Sequence, residues 1–193
     1  MNTKQKTLMG IVIIVVLAAV ALVVQVSMKE NARDANNEAI RAVVNNIFSS
    51  PNDEMISLYN DMLHKAEQEA ASSVPGRTVG FDSTELDEKL EETYAGYIAK
   101  DWYEAFVNHF YSGLITYSIA GKYDIEVNKI DIAQDRSDPM NYSFTVYLSY
   151  GPVGGSKEDT EIKGSAQFAK EEGKLSFIRF FDNDLIDELR NSL

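Results

Sequence analysis

The sequence contains no cysteine among its 193 residues. Disulfide bonds, thiolate zinc sites and thiol nucleophiles are therefore excluded, and so is a lipoprotein anchor, which needs a cysteine to carry its lipid. Histidine is nearly as scarce: His64 and His109 stand far apart with no common metal-binding spacing. The sequence predicts no metal site and no cofactor.

Basic residues are also in short supply, with 18 Lys and Arg against 30 Asp and Glu. Only Lys4 and Lys6 precede the first apolar segment, and no acidic residue does, so the rest of the chain carries a formal charge of −14. Nucleic acid and anionic lipid surfaces both attract basic proteins. The charge balance therefore excludes a nucleic-acid partner and disfavours docking on anionic lipid.

What the chain does have is one long apolar run, Leu8–Val26, in which only Gly10 and Gln25 are not apolar. A helix of this length spans roughly 28 Å, close to the ~30 Å hydrocarbon core of a bilayer. We interpret residues 1–27 as an uncleaved signal anchor that crosses the lipid bilayer.

Two alternatives compete with this interpretation. In a cleaved signal peptide, Ala19 and Ala21 would provide the A-x-A site, but Leu22 and further apolar residues follow it, so cleavage would fall inside the run. A buried core helix would keep a polar stripe, whereas this segment is apolar on every face. Lys29 and Arg33 nearly balance Lys4 and Lys6 across the run, so the positive-inside bias is small. A short tail before a single anchor favours a cytoplasmic N-terminus and an extracytoplasmic C-terminal domain in the cell membrane.

The segment Met28–Asn37 is polar and is interpreted as a stalk or as a continuation of the anchor helix. Residues 38–193 are enough for one domain. Helical periodicity opens it, with apolar residues three and four apart. The predicted buried faces are Ile40, Val43, Val44, Ile47 and Phe48; then Ile56, Tyr59, Leu63 and Ala66; then Leu86, Leu90, Tyr94 and Ile98; then Trp102, Phe106 and Phe110. We expect breaks at Ser72–Phe81 and near Ala99–Asp101.

The second half alternates with the period of strands. The predicted strands are Tyr123–Ile132, Tyr142–Tyr150, Thr160–Ala169 and Leu175–Phe181, and a short helix over Asp182–Leu193 ends the chain. The first strand changes phase near Asn128 and Lys129, and the last has a similar shift, so each is predicted to hold a β-bulge that curves the sheet. The fold class is α+β: helices packed on a curved antiparallel sheet.

Helices lying in the hollow of a bulged antiparallel sheet resemble the plan of the nuclear transport factor 2-like superfamily, a cone-shaped, cystatin-like architecture. The resemblance covers about Glu38 to the end of the chain. The segment Tyr94–Phe106 is similar to a pattern in small membrane-anchored or secreted bacterial members, in which a tyrosine pair precedes a new helix with a polar cap; Ala99 stands here where Ser or Thr is expected. The superfamily includes enzymes, binding proteins and secretion scaffolds, so fold alone does not decide function.

Enzymes of this superfamily place a carboxylate or histidine inside the cone, and no predicted strand directs one inward here. We therefore predict no catalytic residue. The candidates for binding a ligand inside the cone are Tyr97, Trp102, His109 and Arg179, although core packing for the aromatic residues and a solvent-facing Arg179 are the more ordinary roles.

Three functional hypotheses follow. The first is a non-enzymatic, membrane-anchored domain that mediates protein interaction, self-association or assembly of an envelope or secretion complex, as in the inner-membrane scaffold subunits of type IV secretion machines that it resembles in plan. The second is a module that binds a small ligand in the cone. The third is a hydratase- or isomerase-like enzyme with His109 as the base.

Overall fold

The computed structural model describes residues 27–28, 30–48, 53–72, 82–110, 123–170 and 173–181, and gives only the backbone of residues 109 and 110. The predicted anchor, most of the predicted break at Ser72–Phe81 and the predicted C-terminal helix lie outside these ranges. Among the described residues, no helix has the length and apolar character needed to cross a bilayer.

In the described part of the chain, four helices precede the sheet. They are α1 (30–48), α2 (Asp53–Ser72), α3 (Thr84–Tyr94) and α4 (Tyr103–Phe110). Helix α1 continues through residues 30–37, which the sequence assigned to a stalk or to a helix continuation, and the whole of its predicted apolar face is buried. The periodicity of α1 therefore predicts its packing correctly.

The predicted face of α2 is wrong in part. Met55, Met62 and Ala66 are its buried residues, whereas Leu63 is exposed and Ile56 and Tyr59 are only half-buried. The buried stripe is thus rotated by about one residue from the predicted one, since it passes through Met55 and Met62 and leaves Leu63 exposed.

Helix α3 begins where Asp82 accepts hydrogen bonds from the Thr84 amide and hydroxyl, at 3.2 and 2.8 Å. These bonds lower the pKa of Asp82. Leu86, Leu90 and Tyr94 are buried as predicted. Ion pairs join α3 to α2, since Lys89 Nζ lies 3.0 Å from the Glu54 carboxylate and Lys65 Nζ lies 3.4 Å from that of Glu85.

The predicted break between the third and fourth helices is confirmed. The chain leaves α3 after Tyr94, and Ile98 forms a parallel bridge with Leu175 before α4 starts at Tyr103. Leu175 donates its amide to the Tyr97 carbonyl and accepts from the Ala99 amide, both at 2.8 Å. The turn between α3 and α4 is thus hydrogen-bonded to strand residue Leu175.

Within the described ranges, the sheet contains four antiparallel strands in the order β1-β2-β3-β4. Their bounds are β1 Tyr123–Gln134, β2 Asn141–Pro152, β3 Glu158–Phe168 and β4 Leu175–Phe180. The register of β1 shifts between Val127 and Lys129, and that of β3 with β4 shifts so that Ser176 has no partner. The predicted bulge in β1 is confirmed, and the sheet is curved as the α+β prediction requires. The last strand also has a shift, but it falls at Ser176, before Phe177, whereas the alternation placed it after Phe177.

The inner face of the sheet packs against the helices to form the core. On β2, Tyr142, Phe144, Val146 and Leu148 are buried, and the intervening residues are not. Phe180 meets Phe48 of α1 and Phe144 of β2 edge-on, with ring centroids 5.2 and 5.5 Å apart. Aromatic rings therefore fill the hollow between α1 and the middle of the sheet.

Gly164 on β3 makes room for this packing. It pairs with Phe144 across the strands, and a methyl group at its Cα would overlap the Phe144 ring and lie 2.6 Å from the Arg179 carbonyl oxygen. The absence of a side chain at this position is what allows the phenylalanine to lie flat over the strand.

Candidate functional site

Of the four residues predicted to bind a ligand, three have described side chains, and no described contact joins these three to one another. Tyr97 is half-buried in the turn after α3, and Trp102 is half-buried with its ring 5.5 Å from Phe106 and 6.0 Å from Phe177. Arg179 is exposed on the outer face of β4, 5.6 Å over the Phe181 ring. The side chain of His109 lies outside the described part, so its role stays a prediction. His64 is exposed on α2, beside Glu67.

Asn36 is the one buried polar residue in the described ranges, and sequence reasoning placed it in the polar stalk. Its Nδ2 donates to the Tyr142 hydroxyl at 3.3 Å, and its Oδ1 accepts from the Gly173 amide at 2.9 Å. Gln134 also donates to the Tyr142 hydroxyl, at 2.9 Å. These bonds join α1 to β1, β2 and the β3–β4 turn, so Asn36 is a structural residue.

A surface depression lies between α3 and α4 and has a volume of about 460 Å³. We call it the α3–α4 groove. Its apolar floor consists of Leu90, Val107 and the ring of Tyr103. Its rim is polar and mostly acidic, and is formed by Thr84, Asp87, Glu88, Glu91, Glu104 and Asn108.

The rim carboxylates differ from the other carboxylates of α3 in having no ion-pair partner in the described part of the chain. Glu85 and Glu92, on the side of α3 that meets α2 and Lys89, take part in ion pairs with Lys65 and Lys89. In the described part of the chain, none of the four rim carboxylates, Asp87, Glu88, Glu91 and Glu104, pairs with a cation. Asp87 accepts a 2.6 Å hydrogen bond from the Ser83 hydroxyl, which is neutral and leaves the carboxylate charge in place. The rim of the groove is therefore negatively charged.

Tyr103 lines the groove, and its hydroxyl is unusual. Its oxygen is buried and, in the structure as described, has no hydrogen-bond partner. Burial, with a smaller contribution from the charges of Glu91 and Asp87, raises the pKa of Tyr103 to about 12. The neighbouring Tyr94 is buried more deeply, which raises its pKa further. Both phenols are neutral at ordinary pH. A neutral phenol hydroxyl can both donate and accept a hydrogen bond.

A second cleft of about 450 Å³ adjoins the groove and shares Glu91, Tyr103 and Glu104 with it. Lys100 and Lys174 lie on its far side. Lys174 is engaged, since its Nζ donates to the carbonyls of Ala95 and Gly96 at 3.1 and 2.9 Å. This adjoining cleft thus carries two cationic side chains in addition to the two carboxylates that it shares with the groove.

Exposed aromatic residues form a second candidate surface along the outer sheet edge. Phe177 and Phe181 are each 42% exposed, and half-buried Trp102 contacts Phe177. We call Trp102, Phe177 and Phe181 the β4 aromatic edge. The bulge at Ser176 creates it, because the bulge lets Leu175 and Ile178 both face inward while Phe177 turns outward.

Sequence reasoning missed both surfaces. The signal for the groove was present in α3, where Asp87 and Glu91 are spaced by four and therefore share a face next to Leu90. Which helix packs beside that face could not be derived from spacing. No group of three or more histidine or carboxylate side chains in the described ranges is arranged to hold a metal ion.

Comparison of the chain with models of protein families, with curated proteins and with solved structures finds no match.

Proposed function

We propose that this protein is a single-pass membrane protein whose domain is presented outside the cytoplasm and works by binding another protein. The anchor is Leu8–Val26, and the domain, of the nuclear transport factor 2-like kind, takes part in assembly of an envelope or secretion complex without catalysing a reaction.

The β4 aromatic edge is the observation that carries the proposal. Phe177 and Phe181 each expose 42% of their surface in or directly after the edge strand β4. Phe177 contacts Trp102, and the Arg179 side chain lies over the Phe181 ring. Aromatic residues are enriched at the centres of protein interfaces, where they bury large areas with little loss of side-chain entropy. Exposed aromatic side chains along one edge strand favour a docking surface.

The packing of the inner sheet face supports the same proposal. Phe48, Phe144 and Phe180 meet edge-on in the hollow where a ligand would otherwise lie. The inward positions of β3 are also apolar or small, namely Ile162, Gly164, Ala166 and Phe168. This packing favours the outer surface of the domain as the place where a partner binds.

Photo-cross-linking in native membranes tests the proposal. A photoreactive phenylalanine analogue replaces Phe177 in the full-length protein, and a matched variant carries it at Tyr147, on the outer face of β2 away from the aromatic edge. We expect a discrete, irradiation-dependent adduct from position 177 and none from position 147.

An adduct from position 177 should also weaken when Phe181 is replaced by serine, since that change removes part of the same surface. Equal adducts from both positions, or none from position 177, would contradict a protein contact at the β4 aromatic edge.

A further inference from the structure

We propose that the α3–α4 groove binds a cationic amphipathic helix of a partner protein. The inference rests on the proposed protein-interaction function and names the partner chemistry of a second surface, distinct from the β4 aromatic edge.

The shape of the groove fits a helix. Two helices form its walls, and the shorter, α4, has eight residues and is therefore about 12 Å long, which matches two turns of a helix lying alongside it. Leu90 is fully buried beneath the groove, and Val107 and the Tyr103 ring are half-buried in its floor. An apolar stripe of a partner helix would cover this floor, as in other helix-in-groove interfaces.

The charge of the groove selects a cationic partner. Four carboxylates surround the apolar floor, and in the described part of the chain none of them has a cationic partner. Elsewhere on α3, by contrast, the carboxylates meet Lys65 and Lys89. A helix with lysine or arginine beside its apolar stripe would place cations against the rim, where complementary charge contributes specificity and a faster association.

A defined probe tests the proposal with the full-length protein in nanodiscs of zwitterionic lipid. The probe is a fluorescein-labelled leucine–lysine peptide of about 14 residues, roughly four helical turns, with leucines on one face. A leucine–glutamate peptide of the same pattern is the control ligand. Fluorescence anisotropy, corrected for binding to empty nanodiscs, measures the dissociation constant of each.

Two variants with equal changes of net charge separate groove binding from general attraction. The groove variant carries Glu88→Gln, Glu91→Gln and Glu104→Gln. The matched control carries Asp61→Asn, Glu67→Gln and Glu69→Gln, all on the exposed side of α2. We expect the lysine peptide to bind the groove variant at least about tenfold more weakly than the unmodified protein, and the control variant within about twofold.

Equal weakening by both variants, no weakening by the groove variant, or equally tight binding of the glutamate peptide would overturn the proposal. Light scattering tests a second occupant of the groove. If the unmodified protein is a homodimer and the groove variant is a monomer, a second copy of the chain occupies the groove and the basic-helix proposal is wrong. The two experiments are independent because the peptide is synthetic and the cross-link is to a native partner. Loss of peptide binding would not change the cross-linking result at Phe177, and absence of the cross-link would not change the peptide affinity.

Discussion

At the scale of single residues, Tyr103 has the least compensated polar group in the described part of the chain. Its buried hydroxyl gave up hydrogen bonds to water without gaining one from the protein. Such a group destabilises a fold by about 1–3 kcal/mol relative to a satisfied one.

Replacing this tyrosine should therefore stabilise the protein. Tyr103→Phe removes the unpaired oxygen and keeps the ring, so we expect the free energy of unfolding to rise by roughly 1 kcal/mol in chemical denaturation at neutral pH. Tyr147→Phe, on the outer sheet face, is the control and should change it by less. A clear loss of stability in Tyr103→Phe would show that the hydroxyl has a partner within the fold.

The same residue predicts a dependence on alkaline pH. The pKa of Tyr103 is about 12 in the folded protein, above its ordinary value of 10.0, so the unfolded chain loses this proton first. The unfolded state is then favoured as pH rises, and stability should fall between about pH 10 and pH 12. Tyr103→Phe should flatten this fall in denaturation curves measured across that range, and an unchanged slope would contradict the assignment.

At the scale of elements, the attachment of α1 to the sheet depends on Asn36. Asn36→Ala would leave the Gly173 amide without its acceptor and the Tyr142 hydroxyl without one donor. We expect a loss of about 1–3 kcal/mol in the free energy of unfolding, since these groups lie in or near the core. Asn46→Ala, on the exposed side of α1, is the matched control and should have little effect. Equal losses of stability in Asn36→Ala and Asn46→Ala would contradict the proposal that Asn36 attaches α1 to the sheet.

Two glycines offer a second matched pair within the elements. A methyl group at Gly164 would overlap the Phe144 ring and crowd the Arg179 carbonyl, whereas one at Gly96 would meet nothing within 4 Å. Gly164→Ala should lower the free energy of unfolding by about 1–3 kcal/mol through overpacking, and Gly96→Ala should be nearly neutral. Thermal melts of the two variants check this; similar melting temperatures would mean that the core at Phe144 is loosely packed.

The elements also show what local sequence can predict. Strict alternation in β2 and the phase change at Asn128 gave the strands and the bulge, because side chains on a strand must alternate and a buried face fixes the phase. The face of α2 was partly wrong and Asn36 was assigned to a polar stalk, because the partners of both are distant in sequence. The α3–α4 groove requires two helices to meet side by side, which no periodicity encodes.

At the scale of the whole molecule, the negative charge lies on the part of the chain that we propose is attached to the membrane by the apolar run. The chain after the apolar run carries a formal charge of −14, and the acidic groove and aromatic edge both lie on this part. A domain held at a membrane meets partners in two dimensions, so modest affinities at two small surfaces suffice for stable assembly. The proposed function therefore depends on the location assigned to the domain.

Cysteine labelling tests that location most directly, because the chain has no cysteine of its own. Single-cysteine variants of the full-length protein, Ser143→Cys on the exposed outer face of β2 and Asn2→Cys before the anchor, are treated in intact cells with a membrane-impermeant maleimide. We predict that Ser143→Cys is labelled in intact cells, and that Asn2→Cys is labelled only after lysis and on a protein of unchanged length. Labelling of Asn2→Cys alone in intact cells, or a mature protein that has lost position 2, would contradict a retained anchor with the domain outside.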